Sequence, residues 1–523
     1  MTKNIILASV FLATSVFAQK KAPDNWQLLN PKTDKVYGMG VEEAYKLLKG
    51  RTPKTVIVAV IDSGVEIDHE DLKDVIWTNP NEIPDNGIDD DKNGYIDDIH
   101  GWSFLGGKNG DINYESLEVA RMYQHLTKKY NNVSDTATLS AVDKKEYAQY
   151  KKIKRSFVTE RMEQELQLKS MNTVADMLDA VKQQNNGELN KKGLKKYIPS
   201  NPIEKQMQKR LKFLFTMGMS PKELYDQVSE SRTSIENTIK FNNLNSDSIR
   251  QAIVGDDPNN LTERFYGCNR VEGPDAAHGT HCAGIIAAVR NNNIGINGVA
   301  NNVKIMVVRA VPNGDERDKD VANAIYYAVD NGATVINMSF GKYYSPDKKY
   351  VDDAVAYAAS KDVLLVHAAG NESKDGDVEL SFPNRELLSG KVANNWIQVG
   401  ASAFKGGKNM LAPFSNYGFK EVDVFAPGVD IYSTVIDNKY SAMSGTSMAS
   451  PATVGVAALI RGYFPELKAP EVRDVLMRTA VPYKRKLKVP GTKKTKQKLN
   501  TLCISGGFVN ANNAVIELLG KIK

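Results

Sequence analysis

The sequence predicts an α/β fold, a parallel sheet with helices on both faces, carrying an inserted α-helical subdomain. Three observations predict it. Residues 55–61, 334–338 and 363–368 are short apolar runs rich in β-branched side chains, the composition of strands buried on both faces. Between 320 and 328, Val321, Ala324, Ile325 and Ala328 recur at helical spacing, so strand and helix alternate as a parallel sheet requires. Residues 111–265 instead form a charged stretch with apolar residues at helical spacing and little strand-like content.

The first eighteen residues, 1–18, read as a secretory signal peptide. Lys3 supplies the basic start, residues 5–17 are mostly apolar, and Val16-Phe17-Ala18 suits cleavage after Ala18. The apolar run is too short to span a bilayer, and no later segment reads as transmembrane. The chain is therefore expected to be exported, to the periplasm or the extracellular space.

The strand at 55–61 delivers Asp62 at its carboxyl end, where ligands bind in open α/β sheets. An acidic loop follows at 89–98. Asp89, Asp91, Asn93, the Tyr95 carbonyl and Asp97 have the spacing of an EF-hand calcium loop, and Gly94 takes the sharp-turn position. The twelfth position is His100 rather than a bidentate glutamate, and no flanking EF helices are evident. A structural calcium ion on a surface loop is expected here, not an EF-hand module. No catalytic cofactor is expected.

Apolar anchors of the 111–265 insertion are Leu117, Val119, Met122 and Leu126, then Phe157, Met162, Leu166 and Leu168. Leu178, Met207, Leu211, Phe213 and Leu214 continue the pattern, and Met162 and Met207 are expected in its core. Whether the insertion caps a cleft, restricts access or assists folding stays open. The domain organisation is then 1–18 signal, 19–110 with 266–523 as the sheet domain, and 111–265 as the helical insertion.

Serine is a weak nucleophile at neutral pH. It needs a base in hydrogen-bond reach, and that base needs an acid to fix its tautomer. Asp62, His278 and Ser447 stand in settings that suit the three roles. Two of the chain's 6 histidines, His278 and His281, lie in one short motif. A zinc site there would want a third ligand, and Cys282 is the only neighbour of that kind. Around Ser447 the small residues Gly445 and Ala449 leave room for a peptide, and Pro451 is expected within a helix's first turn. Ser447 would then lie at a helix N-terminus, whose field favours developing negative charge.

These blocks resemble the subtilase family of serine endopeptidases. The matching runs are Val58-Ala59-Val60-Ile61-Asp62-Ser63-Gly64, His278-Gly279-Thr280-His281-Cys282-Ala283-Gly284 and Ser444-Gly445-Thr446-Ser447-Met448-Ala449-Ser450-Pro451. Ile336-Asn337-Met338-Ser339-Phe340-Gly341 and Ala368-Ala369-Gly370-Asn371 match as well. The resemblance implies a subtilisin-like parallel sheet and a catalytic triad of Asp62, His278 and Ser447, in the family's chain order. It implies Asn371 as the oxyanion-hole donor. Ser339, Phe340 and Gly341, with Ala368, Ala369 and Gly370, would bind substrate as an added strand. Phe340 departs from the family's usual leucine, and an apolar or aromatic P1 side chain is expected. The interval from Asp62 to His278 is far longer than the family's few tens of residues. An inhibitory N-terminal domain is expected to be absent, very short, or replaced in function by the insertion. The alternative is a catalytically inactive binding protein of the same fold.

The formal net charge of +6 admits nucleic acid or anionic surfaces. No recognition motif accompanies it, and lysines of the insertion are read as alternating with acids on a solvated face. The expected partner is a polypeptide substrate, with no nucleic acid, and the expected state is a monomer. Cys268, Cys282 and Cys503 are too few for a disulfide scaffold, and one thiol at least must stay free. Cys268 with Cys503 remains one open pairing.

Overall fold

The computed structural model describes residues 22–134, 136, 139–216 and 220–521, so the expected signal peptide lies outside the described residues. The chain divides into two compact units, Lys21–Asn113 with Asp247–Lys523, and Tyr114–Ser246.

The first unit is built on a nine-stranded sheet. Its strands in chain order are β1 (Val56–Asp62), β2 (Gly101–Ser103), β3 (Val303–Arg309), β4 (Val335–Met338) and β5 (Leu364–Ala368). Then come β6 (Trp396–Ser402), β7 (Val424–Pro427), β8 (Val481–Pro482) and β9 (Gly507–Phe508). The order across the sheet is β8-β9-β7-β6-β5-β4-β1-β3-β2. Every pairing is parallel except β8 with β9 at one edge.

β1 pairs Asp62 with Arg309 on one side, and Ile61 with Met338 on the other. Eight of the nine strands therefore run with their carboxyl ends to one edge, and the site is assembled there. Two apolar cores sandwich the sheet. Val58, Val60, Val366 and Val399 face one, with the helices Ala277–Ala287 and Thr446–Tyr463. Ala59, Ile61, Met306 and Ile336 face the other, with the helices Asp318–Asp330 and Lys348–Ser360. The period-two alternation of a strand sends its neighbours to opposite cores, which is why these runs are apolar throughout.

The front segment belongs to this unit. Trp26 is fully buried and its indole N–H donates to the carbonyls of Val429 and Asp430, at 3.2 Å each. The helix Val41–Leu47 shares a core with the helix Ala511–Lys521.

Residues 247–265, which the sequence reading assigns to the insertion, pack with the sheet unit instead. Charge rather than apolar periodicity decides this. Arg250, fully buried, donates to both oxygens of Asp320, at 2.7 and 2.8 Å, and to Asp256 at 2.8 Å. Lys319 closes the network on Asp256 and Glu263, at 2.8 Å each. Both junctions with the helical unit are held on one short segment. Asn313 bonds Asn113 at 2.8 Å, and Arg317 bonds Asp247 at 2.8 Å.

The second unit, Tyr114–Ser246, is helical, with elements Glu118–Tyr130, Ala141–Gln183, Lys191–Lys196, Pro202–Thr216 and Pro221–Asn242. The helix Ala141–Gln183 has 43 residues and so runs about 65 Å. Near its start, Phe157 stacks on Tyr123 with ring centroids 4.5 Å apart. Near its end, Val174, Met177 and Leu178 share a core with Leu194, Met207, Leu211 and Leu224. Its middle outruns both. Met162, expected in the core, is 57 % exposed, and Leu166 is 39 % exposed. Phe213 is also outside the core, at 59 % exposure. A helix this much longer than its partners of 13, 15 and 22 residues cannot be covered along its whole apolar stripe.

All three cysteines are free thiols, so Cys268 and Cys503 do not pair. Cys268 forms a bridge with Ser103 beside β2, whereas Cys503 is buried in the cluster of Leu487, Leu499 and Leu502.

Candidate active site

Asp62 ends β1 and is 1 % exposed. Its Oδ1 accepts from the Ser63 amide at 2.8 Å and lies 2.7 Å from His278 Nδ1. His278 is the second residue of the helix Ala277–Ala287. That helix comes so close to the strand end because residue 279 is glycine: a Cβ there would lie 2.0 Å from the Gly64 carbonyl. Gly64 itself has φ +128° and no room for a side chain against the Glu272 carbonyl.

With Nδ1 donating to Asp62, the bare nitrogen of a neutral His278 is Nε2. Loss of water around the ring disfavours its charged form, but the Asp62 carboxylate and its hydrogen bond outweigh this and hold the imidazolium pKa above 6.5. His281 has the opposite setting. Burial pushes its pKa down to about 4, and Nε2 meets the carbonyls of Ile431 and Ser441 at 3.0 and 3.1 Å. Through Nε2 it therefore pins the hairpin Ile431–Val435/Lys439–Met443 under the site.

Ser447 is the second residue of the helix Thr446–Tyr463, so its amide is one of the unpaired N–H groups of a helix start. Pro451 is not in the first turn, as the sequence reading expects, but inside the helix. A proline there has no N–H for the carbonyl four residues earlier, which is that of Ser447. Two side chains replace the missing donor. Ser339 Oγ donates to the Ser447 carbonyl at 2.9 Å and Cys282 Sγ approaches it at 3.4 Å. Asn337 steadies Ser339 by a bond to its Oγ at 3.0 Å and accepts from Ser450 Oγ at 2.9 Å. The Ser447 hydroxyl is 3.3 Å from the Ser339 carbonyl.

Asn371 follows β5 and Gly370. Its Oδ1 accepts from the Thr446 amide at 2.9 Å and the Thr446 hydroxyl at 3.1 Å. A backbone N–H can only donate, so this oxygen is assigned and Nδ2 is turned to the other side. A Cβ on Gly445 would sit 3.5 Å from the Ser447 amide and 3.7 Å from Asn371 Nδ2, so both donors border the same space.

Ser339, Phe340 and Gly341, with Ala368, Ala369, Gly370, Asn371 and Ser447, line one open cleft of about 530 Å³. The sequence reading missed Lys342, Tyr343 and Glu372, which also line it. Lys342 follows the 339–341 run directly, and Glu372 follows Asn371, so adjacency was the available signal. Lys342 is buried, with Nζ 2.9 Å from Asp318. Glu372 accepts from Tyr343 Oη at 2.7 Å and Asn416 Nδ2 at 2.9 Å.

Of the five expected calcium ligands, Asp91 lies in a cluster of carboxylates, with Glu82 and Asp98. Asp89 accepts from the amides of Asn93 and Gly94, and Asp97 turns to the amides of Asn86 and Gly87. The Asn93 oxygen takes the Tyr95 amide at 2.8 Å, and the Tyr95 ring is buried. These groups close backbone turns. Asp91 instead joins Glu82 and Asp98, with one oxygen of each within 4.8 Å of the others. Burial raises the Asp98 pKa to about 6, against bonds from Tyr327, Asn79 and Asn93 that lower it. Glu82 is 7 % exposed and its Oε2 is buried with no hydrogen-bond partner. An unpaired buried oxygen beside two further carboxylates suits a hard cation such as calcium.

The parallel sheet thus carries at its carboxyl edge the paired Asp62 and His278, and Ser447 at a helix start lining the cleft. Residues 53–506 match the Subtilase family, and the chain belongs to that family. Over 184 residues it is 46 % identical to the thermophilic serine proteinase of Bacillus sp. (strain AK1), covering 35 % of this chain and 42 % of that protein. It is 42 % identical over 184 residues to thermitase of Thermoactinomyces vulgaris, covering 35 % of this chain and 60 % of thermitase. It is 40 % identical over 235 residues to the cell wall-associated protease of Bacillus subtilis (strain 168), covering 45 % and 24 %. The chain thus spans less than two thirds of each of these relatives.

Proposed function

We propose that the protein is an exported serine endopeptidase that hydrolyses peptide bonds through Asp62, His278 and Ser447. The observation that carries the reading is the 2.7 Å pair of His278 Nδ1 and Asp62 Oδ1 at the end of β1. Ser447 Oγ attacks the scissile carbonyl carbon while His278 Nε2 takes its proton. The carbonyl oxygen becomes an oxyanion, and Asn371 Nδ2 and the Ser447 amide donate to it. His278 then gives its proton to the leaving amine, and an acyl-serine remains. Water, deprotonated by His278, attacks the acyl carbon and releases the carboxylate product. Asp62 stays ionised throughout, fixing the imidazole tautomer and stabilising the imidazolium.

Substrate backbone lies along Ser339–Gly341 and Ala368–Gly370 as an added strand, and Phe340 with Ala368 and Ala369 favours an apolar or aromatic P1 side chain. The protein works as a monomer on polypeptides and not on nucleic acid. Hydrolysis of casein by the purified protein, lost in Ser447→Ala and His278→Ala, tests the reading. Turnover that survives either substitution contradicts it, and no turnover by the parent favours a binding protein of the same fold.

Calcium is the proposed ion. Glu82, Asp91 and Asp98 would hold it, and its charge would offset the repulsion of three close carboxylates. Its role is structural.

A further inference from the structure

The positive charge of the chain is concentrated. Residues 191–212 hold eight lysines and arginines and one acid, Glu204, a net +7 in a chain whose total is +6. The alternation of lysines with acids expected for the whole insertion does not hold here. Glu204 sits in the first turn of the helix Pro202–Thr216. Its carboxylate accepts from Tyr197 Oη at 2.9 Å, Ser200 N at 2.7 Å, Ser200 Oγ at 2.6 Å and Asn201 Nδ2 at 2.9 Å.

The inner face of this helix pair is anchored. Leu194, Met207, Leu211, Leu214 and Phe215 are buried in the core of the helical unit. Gln208 Nε2 ties the pair together through the Leu194 carbonyl at 2.8 Å and the Tyr197 carbonyl at 2.6 Å. The outer face is thereby held in place. Lys191, Lys192, Lys195, Lys196, Lys205 and Lys209 are exposed on it. Lys205, Lys209 and Phe213 follow at four-residue steps and form one stripe.

Three large apolar side chains stand among these lysines: Ile198 is 85 % exposed, Ile203 53 % and Phe213 59 %. They add exposed apolar area to a segment otherwise rich in lysine. A nucleic-acid strand would want a platform of stacked aromatic rings. Phe213 is the one exposed ring in the segment, since Tyr197 is half-buried and bonded to Glu204. Cations level with lipid phosphates, and apolar tips reaching just below them, fit a bilayer surface. We propose that this face docks the protein peripherally on membranes rich in anionic phospholipid.

The test is co-sedimentation of the full chain with vesicles of phosphatidylcholine alone or with phosphatidylglycerol added. Binding is expected only with the anionic lipid, and it should fall at high salt. Lys191→Glu, Lys192→Glu, Lys195→Glu and Lys196→Glu together should lower the partition coefficient at least about tenfold. Ile198→Ser with Phe213→Ser should lower it without changing the salt dependence. Circular dichroism and peptide hydrolysis should match the parent in both variants. If the charge variant does not fold, Lys→Gln at the same four positions gives the same reading with less perturbation. Equal binding to neutral vesicles, or unchanged binding by both folded variants, overturns the proposal. So does binding to an oligonucleotide or an acidic polypeptide with none to vesicles.

Discussion

Ser339 donates its hydroxyl to the main-chain carbonyl of Ser447 at 2.9 Å, filling the place of the helix donor that Pro451 removes. The loop that lines the cleft and the helix that carries the serine are thereby joined at one carbonyl. Ser339→Ala should cost about 1 kcal/mol of stability. Pro451→Ala restores an N–H four residues along, so it should make the Ser339 hydroxyl partly redundant. A double-mutant cycle on thermal or denaturant unfolding measures this. The account expects a clear coupling between the two substitutions, and strictly additive losses would refute the link.

The pH dependence follows from His278. Its pKa is raised because Asp62 outweighs the loss of water around the ring. As the proposed general base it must be neutral to act, so the acid limb of kcat/KM should lie above pH 6.5, the ordinary value for histidine. Asp62→Asn should move that limb downward and reduce the plateau. The sign for stability is opposite. A raised histidine stabilises the fold fully below its unfolded pKa, and that contribution is lost as pH rises through the folded one. An acid limb below 6.5 in the parent would contradict the pairing as the cause.

Calcium should raise the melting temperature at neutral pH, with about 2.7 kcal/mol expected at a hundredfold excess over Kd. Asp98, raised to about 6 by burial, makes the effect pH-dependent. Without metal, the cost of its buried charge is present above about pH 6 and is relieved as pH falls through 6 towards 3.8. Calcium stabilisation should therefore shrink below pH 6. Glu82→Gln should blunt it, whereas Asp89→Ala should not. The reverse ranking of the two variants would restore the EF-hand-like ligand set.

Much of the sheet was legible because strand burial on two faces writes itself as unbroken apolar runs. Residues 55–61 fall on β1 to within one position, and the helical spacing of Val321 to Ala328 falls inside Asp318–Asp330. Asp62 and His278 were findable from local blocks, but the glycine contact that brings them together depends on two distant segments. Carboxylate spacing picked out Asp91 but not Glu82 and Asp98, which chain folding brings to it. Periodicity in the helical unit did not tell which part of a 43-residue helix finds a partner. The return segment was misassigned because its attachment is ionic.

That ionic attachment gives its own prediction. Arg250 is buried between Asp256 and Asp320 with no solvent contact. Arg250→Met should cost about 3–5 kcal/mol, because it leaves the buried Asp320 carboxylate without its cation, while Asp256 keeps Lys319. Arg250→Lys should recover only part of this, because a single ammonium nitrogen cannot match the two guanidinium nitrogens that pair with both oxygens of Asp320. Denaturant titration reads both. A loss under about 1 kcal/mol for the methionine variant would show that the network is solvated.

The central claim is that Ser447 is the nucleophile, activated by His278. A peptidyl fluorophosphonate with an aromatic P1 side chain tests it through intact-mass and peptide mapping. The account predicts one adduct per chain, on Ser447, with loss of peptide hydrolysis in proportion to labelling. His278→Ala should slow labelling by several orders of magnitude, and Ser447→Ala should abolish it. An adduct on another residue, or undiminished labelling and turnover in Ser447→Ala, would contradict the account.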